Sequence, residues 1–154
     1  MDYEITRSDE PGRHLAVTRF TAEAAEIGTS MAAAFGTVFG YLGRHGIEPL
    51  GPPMAYYVMG DGTFEVRVGC AVGGPITDAG TLEPFDVPAA TTLSTVHVGT
   101  YDELPQAYDA LRVRASELGL RLDPVHMWEE YLTGPEVPPE EQRTVIHWPV
   151  DPEV

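Results

Sequence analysis

Between residues 64 and 72, apolar side chains occupy every second position: Phe64, Val66, Val68 and Cys70 alternate with Glu65, Arg67, Gly69 and Ala71. A period of two predicts a strand with one buried face. Asp61-Gly62 just before it is a hairpin signal, so a strand over 55–59 is expected to run antiparallel to it. Upstream the period changes. Ile27, Met31, Ala34, Phe35, Val38 and Leu42 recur at three- and four-residue spacing, which predicts a helix over about 24–45, stopped by Gly46. Gly36 and Gly40 lie inside it and are read as marks of a close contact with a neighbouring strand, since each lowers helix propensity by ~1 kcal/mol. Residues 3–7 and 14–20 read as extended, with Pro11-Gly12 as the turn between them.

The same order then recurs. A strand over 90–99 leads to a helix over 104–118 with the stripe Leu104, Ala107, Tyr108, Leu111 and Ala115, ended by Gly119. Tyr101-Asp102-Glu103 sets acids at its start, as the helix dipole favours. Strands over 128–132 and 144–150 follow. Gly46-Ile47-Glu48-Pro49-Leu50-Gly51-Pro52-Pro53-Met54 and Gly119-Leu120-Arg121-Leu122-Asp123-Pro124-Val125-His126-Met127 align glycine on glycine and methionine on methionine. Such an internal repeat governs the fold. The expectation is an α+β fold of duplicated β-α-β-β units with an extra strand at the N-terminus. The units form a pseudo-twofold pair with an antiparallel sheet, two main helices and a central cleft. Residues 1–154 read as one domain: a first repeat over about 1–74, a connection without periodicity over about 75–89, and a second repeat over about 90–150.

Composition narrows the function classes. The 154 residues carry 24 acids against 9 bases, a net charge of −15. That opposes nucleic acid and anionic membranes, and it attracts cations. Every base is arginine, which together with abundant Ala, Gly and Pro reflects a GC-rich genome more than chemistry. Cys70 is the single cysteine, so neither an intrachain disulfide nor a thiolate cluster is expected. Five scattered histidines show no ligand spacing, and no metal or cofactor is expected. No leader and no long apolar run is evident, which leaves the cytoplasm as the expected compartment, with a homodimer compatible.

The chain resembles the GyrI-like domain, also found as the effector-binding domain of multidrug-responsive bacterial transcription regulators. The resemblance rests on Gly51-Pro52-Pro53 before a Tyr-bearing strand and on Val96-His97-Val98-Gly99-Thr100-Tyr101 entering the second helix. Its most specific piece is Trp128-Glu129-Glu130-Tyr131-Leu132-Thr133-Gly134-Pro135, closed by Arg143-Thr144 and Trp148-Pro149-Val150. It implies an aromatic pocket with a central carboxylate at Glu129 and a tyrosine at Tyr131, receiving lipophilic cations. The chain departs from the family pattern at Glu130, commonly apolar, and at Val145, where a second acid sometimes stands. Because no helix-turn-helix precedes the domain, a stand-alone binding protein is expected.

A carboxylate inside an apolar strand needs a reason, because burying it is costly. Strand alternation puts Glu129 and Tyr131 on one face and Trp128, Glu130 and Leu132 on the other. The expected groove floor is Tyr57, Met59, Arg67, Glu129, Tyr131 and His147, with Val145 and His147 facing the groove. Aromatic faces and a desolvated carboxylate suit cation capture. The alternatives are an ion pair of Glu129 with Arg67 or His147 that only orients the sheet, and ordinary core packing of Tyr57 and Tyr131. His97 and His126 are expected at the surface or in loops, and Glu130 in solvent at a strand edge. Two function classes stay open. One is binding of amphipathic, cationic or aromatic drug-like molecules. The other is a hydrolase that opens strained, cyclopropane-type electrophiles, with Glu129 as general base on a water and Tyr131 or Tyr57 steering the electrophile's oxygen. A weaker third is a protein-interaction or gyrase-modulating role for the acidic surface.

Overall fold

The computed structural model describes residues 3–73, 82–134 and 136–151. Among them are eight strands and two α-helices, an α+β chain in which all the strand pairs given below are antiparallel. The chain divides into two compact units: Pro11–Ala89, and Met1–Glu10 together with Ala90–Val154.

In the unit Pro11–Ala89, β2 (Arg13–Ala22) lies between β4 (Phe64–Ala71) and β5 (Glu83–Val87), and β3 (Met54–Met59) pairs with β4. The helix α1 (Ile27–Arg44) follows a short 3-10 turn, Ala24–Glu26. Its Val38, Tyr41 and Leu42 pack on Ala16, Cys70, Val72 and Leu82, so Cys70 sits in the core where alternation placed it. Gly36 and Gly40 were expected at a close strand contact, and that reading is corrected. Among the described residues, a Cβ on Gly36 would meet nothing within 4 Å, and one on Gly40 would meet only the Arg44 side chain of the same helix. The close approach is instead at Gly69, where a Cβ would overlap the Ala16 carbonyl oxygen. The aperiodic connection also holds a strand. β5 hides in it because Pro84 and two acids break the pattern, and proline is tolerated at a sheet edge.

The other unit opens with β1 (Thr6–Glu10), which pairs with β6 (Ala90–Val98). Next to β6 comes β8 (Arg143–Pro149), then β7 (His126–Tyr131). The helix α2 (Leu104–Leu118) buries Ala107, Leu111 and Ala115. It ends at Gly119 with φ +69, a conformation glycine adopts freely, and the Leu120 amide returns to the Ala115 carbonyl at 2.9 Å.

Candidate functional site

The start of β7 is fixed by Asp123. Its carboxylate accepts the Val125 and His126 amides at 2.8 and 3.0 Å, and its carbonyl accepts Trp148 Nε1–H at 2.8 Å. Partial burial works against this charge, but the two amides and the His126 ring outweigh it and hold the carboxyl below the usual aspartate range. β7 then pairs with β8 in the register Trp128↔His147, Glu129↔Ile146, Glu130↔Val145 and Tyr131↔Thr144. Partners directly opposite share a face. One face therefore carries Glu129, Tyr131, Thr144, Ile146 and Trp148, and α2 covers that face.

Glu129 is 4% exposed. Tyr131 Oη–H donates to its Oε1 at 2.6 Å, and Tyr108 Oη–H, from α2, donates to Oε2. Both oxygens thus act as acceptors, the pattern of a carboxylate. The Tyr108 ring meets Trp148 edge-on at 5.6 Å, with the Arg112 guanidinium 5.1 Å from the indole centroid. On the other side Tyr101 meets Tyr131 edge-on at 6.1 Å and is 48% exposed. Burial, and then the Glu129 charge, push the Tyr101 hydroxyl above its ordinary pKa. One buried carboxylate therefore has three tyrosines ranged around it, the third reaching solvent.

Of the expected groove floor, the structure brings Glu129 and Tyr131 together. His147 and Val145 lie on the opposite face of β7–β8, because Trp128 and Glu130, not Glu129, are their cross-strand partners. Arg67 is likewise turned from Tyr57. The loop between Met59 and Phe64 pairs Tyr57 with Val66, so Tyr57 and Met59 take the face with Val66 while Arg67, paired with Tyr56, takes the other. There Arg67 bonds Glu65 at 2.6 Å and covers the Phe85 ring at 4.6 Å. Tyr57 packs edge-on to Phe64 at 6.1 Å.

Two further expectations are corrected. Glu130 is 8% exposed rather than solvated, and pairs with His147 at 3.1 Å, while Trp128 stacks on the same imidazole. His97 is fully buried, held between Tyr3 and the Thr100 carbonyl. Tyr108 and Tyr101 were missed as site residues. Tyr108 was absorbed into a helical stripe of Leu and Ala, where its hydroxyl, which needs a partner when buried, was the available signal. Among the described residues no group of three or more His, Cys, Asp or Glu could hold a metal ion, and no helix is long and apolar enough to cross a membrane.

Residues 3–151 match the family model of the GyrI-like small molecule binding domain. The chain belongs to this family. No curated protein gives a match. Among solved structures, this GyrI-like chain is similar to the EcmrR C-terminal domain, with a TM-score of 0.78 and 20% identity, covering 98% of this chain and 99% of that one. EcmrR in its DNA complex superposes with a TM-score of 0.77 at 20% identity over 97% of this chain, which spans only 57% of that EcmrR chain. SAV2435 bound to tetraphenylphosphonium has a TM-score of 0.68 and 13% identity, over 99% and 96% of the two chains. A hydrolase from Listeria innocua, encoded by lin2189, has a TM-score of 0.67 and 13% identity, over 96% and 92%. At these identities the likeness concerns the fold.

Proposed function

We propose that this GyrI-like protein binds small lipophilic cations at Glu129. The observation that carries the reading is a carboxylate 4% exposed, bonded by two tyrosine hydroxyls and flanked by a third tyrosine at the solvent boundary. Because both carboxylate oxygens already accept hydrogen bonds, a ligand needs no donor of its own. A permanently charged, weakly hydrated onium ion gains Coulomb attraction from the buried charge, and each ring face adds about 0.5–2 kcal/mol. Amphipathic aromatic cations fit that chemistry better than hydrogen-bonding ammonium ions do. The likeness to SAV2435, solved with tetraphenylphosphonium, supports the choice of class and supplies a probe. Isothermal titration with tetraphenylphosphonium is expected to give binding that falls at least tenfold in Glu129→Gln, a loss of roughly 1.4 kcal/mol or more. Equal binding by the variant refutes the assignment.

A second reading is favoured by the likeness to the Listeria innocua hydrolase. Here Glu129 takes a proton from water, and the water oxygen bonds to a strained ring carbon as that carbon's ring C–C bond breaks. The displaced electron pair passes to the electrophile's oxygen, which Tyr131 steers and protonates, Glu129 returning the proton to Tyr131. Incubation with a cyclopropane-type electrophile, followed by mass spectrometry for the hydrated product, tests it. Turnover no faster than in buffer retires it.

A further inference from the structure

The loop that presents Tyr101 is held by a buried side chain outside the Glu129 cluster. His97 Nε2 lies 2.9 Å from the Thr100 carbonyl oxygen. A carbonyl can only accept, so Nε2 carries a proton, and in the neutral imidazole Nδ1 then keeps a lone pair. The Tyr3 hydroxyl, 2.8 Å from Nδ1, donates to that lone pair, and its ring stacks on the imidazole at 5.9 Å. Tyr3 thereby selects the tautomer that bonds Thr100. Gly99, at φ +137, makes the local reversal that few other residues adopt, and its amide is tied to the Gln142 carbonyl at 2.9 Å. The Thr100 carbonyl also accepts the Glu103 amide at 3.2 Å, so it is fixed from two directions. The next residue is Tyr101, whose ring stands edge-on to Tyr131, the tyrosine that bonds Glu129. Glu4, next to Tyr3 ahead of β1, is anchored by Thr95 Oγ1–H, which donates to its carbonyl at 2.9 Å.

We propose that His97, with its tautomer set by Tyr3, is a positioning residue for cation binding: it fixes the Thr100 carbonyl and through it holds the Tyr101 ring against Tyr131. The inference rests on the cation binding at Glu129 proposed above. It also makes Tyr3, ahead of β1, part of the binding module.

The test is titration of the full chain with tetraphenylphosphonium, alongside urea unfolding of each variant. His97→Leu is expected to weaken binding about five- to tenfold, the worth of one correctly placed aromatic face. His97→Gln keeps an N–H at the reach of Nε2 and is expected to recover affinity to within about twofold of the native protein. The double variant His97→Leu/Tyr101→Ala is expected to bind no more weakly than Tyr101→Ala alone, because two residues acting through one contact are not additive. A merely structural histidine would give additive losses instead. If His97→Leu does not fold, Tyr3→Phe carries the same test, with a loss of about two- to threefold that vanishes in the Tyr101→Ala background. Native affinity in His97→Leu, or additive losses in the doubles, overturns the inference. When that happens while Glu129→Gln still loses binding, the Glu129 reading survives. Unchanged binding in Glu129→Gln overturns both.

Discussion

A strand turns each successive side chain to the other face, and at 129 and 130 that sends two buried carboxylates into different company. Glu129 meets tyrosine hydroxyls under α2, whereas Glu130 meets His147 with Trp128 stacked on the imidazole at 5.2 Å. Their chemistries should separate experimentally. His147→Leu removes the ion-pair partner of Glu130, and a buried polar group that loses a partner costs about 1–3 kcal/mol, so urea unfolding should show a loss of that order. Tetraphenylphosphonium affinity should hold within about twofold, because the pair lies on the face away from Glu129. Native stability, or a collapse of binding in a variant that still folds, contradicts this division. The alternation of Glu129 with Tyr131 was legible from residue spacing alone. Which residue of β8 stands beside Glu129 was not. That register is set where the Leu132 amide meets the Arg143 carbonyl at 3.0 Å, after a loop whose prolines carry no hairpin signal.

Both helices and the β3–β4 hairpin were readable because periodic apolar positions and terminal glycines agree there. β5 was not, since Phe85 and Val87 are too few to show a period against Pro84, Asp86 and Pro88. Glycines inside elements were the weakest signal, because one letter stands for two opposite situations. Gly36 is exposed in α1 with open space at its absent Cβ, so Gly36→Ala should stabilise the protein by about 0.5–1 kcal/mol. Gly69 lies in β4 between Val17 of β2 and Met54 of β3, and the same substitution drives a methyl into the Ala16 carbonyl. It should cost roughly 2 kcal/mol or more, or prevent folding. Paired denaturation curves decide both. A neutral Gly69→Ala would mean that β2 and β4 separate more easily than their register implies.

At the scale of the whole molecule, 24 acids against 9 bases set a negative field, which under the proposed function a cation meets before it meets Glu129. The two contributions differ in range and can be told apart by salt. The field of exposed charges extends over a Debye length, ~10 Å at 0.1 M and ~30 Å at 0.01 M, whereas a contact with a desolvated carboxylate is little screened. Raising sodium chloride from about 20 mM to about 300 mM should therefore weaken tetraphenylphosphonium binding only about two- to fivefold. The ratio of native to Glu129→Gln affinities should stay constant across that range, because the variant removes one buried charge from a total of −15 and leaves the field almost intact. Titrations of both proteins at four salt concentrations decide the matter. A ratio that shrinks toward one at high salt would make Glu129 just another contributor to the field, and the cation's partner would have to be sought elsewhere.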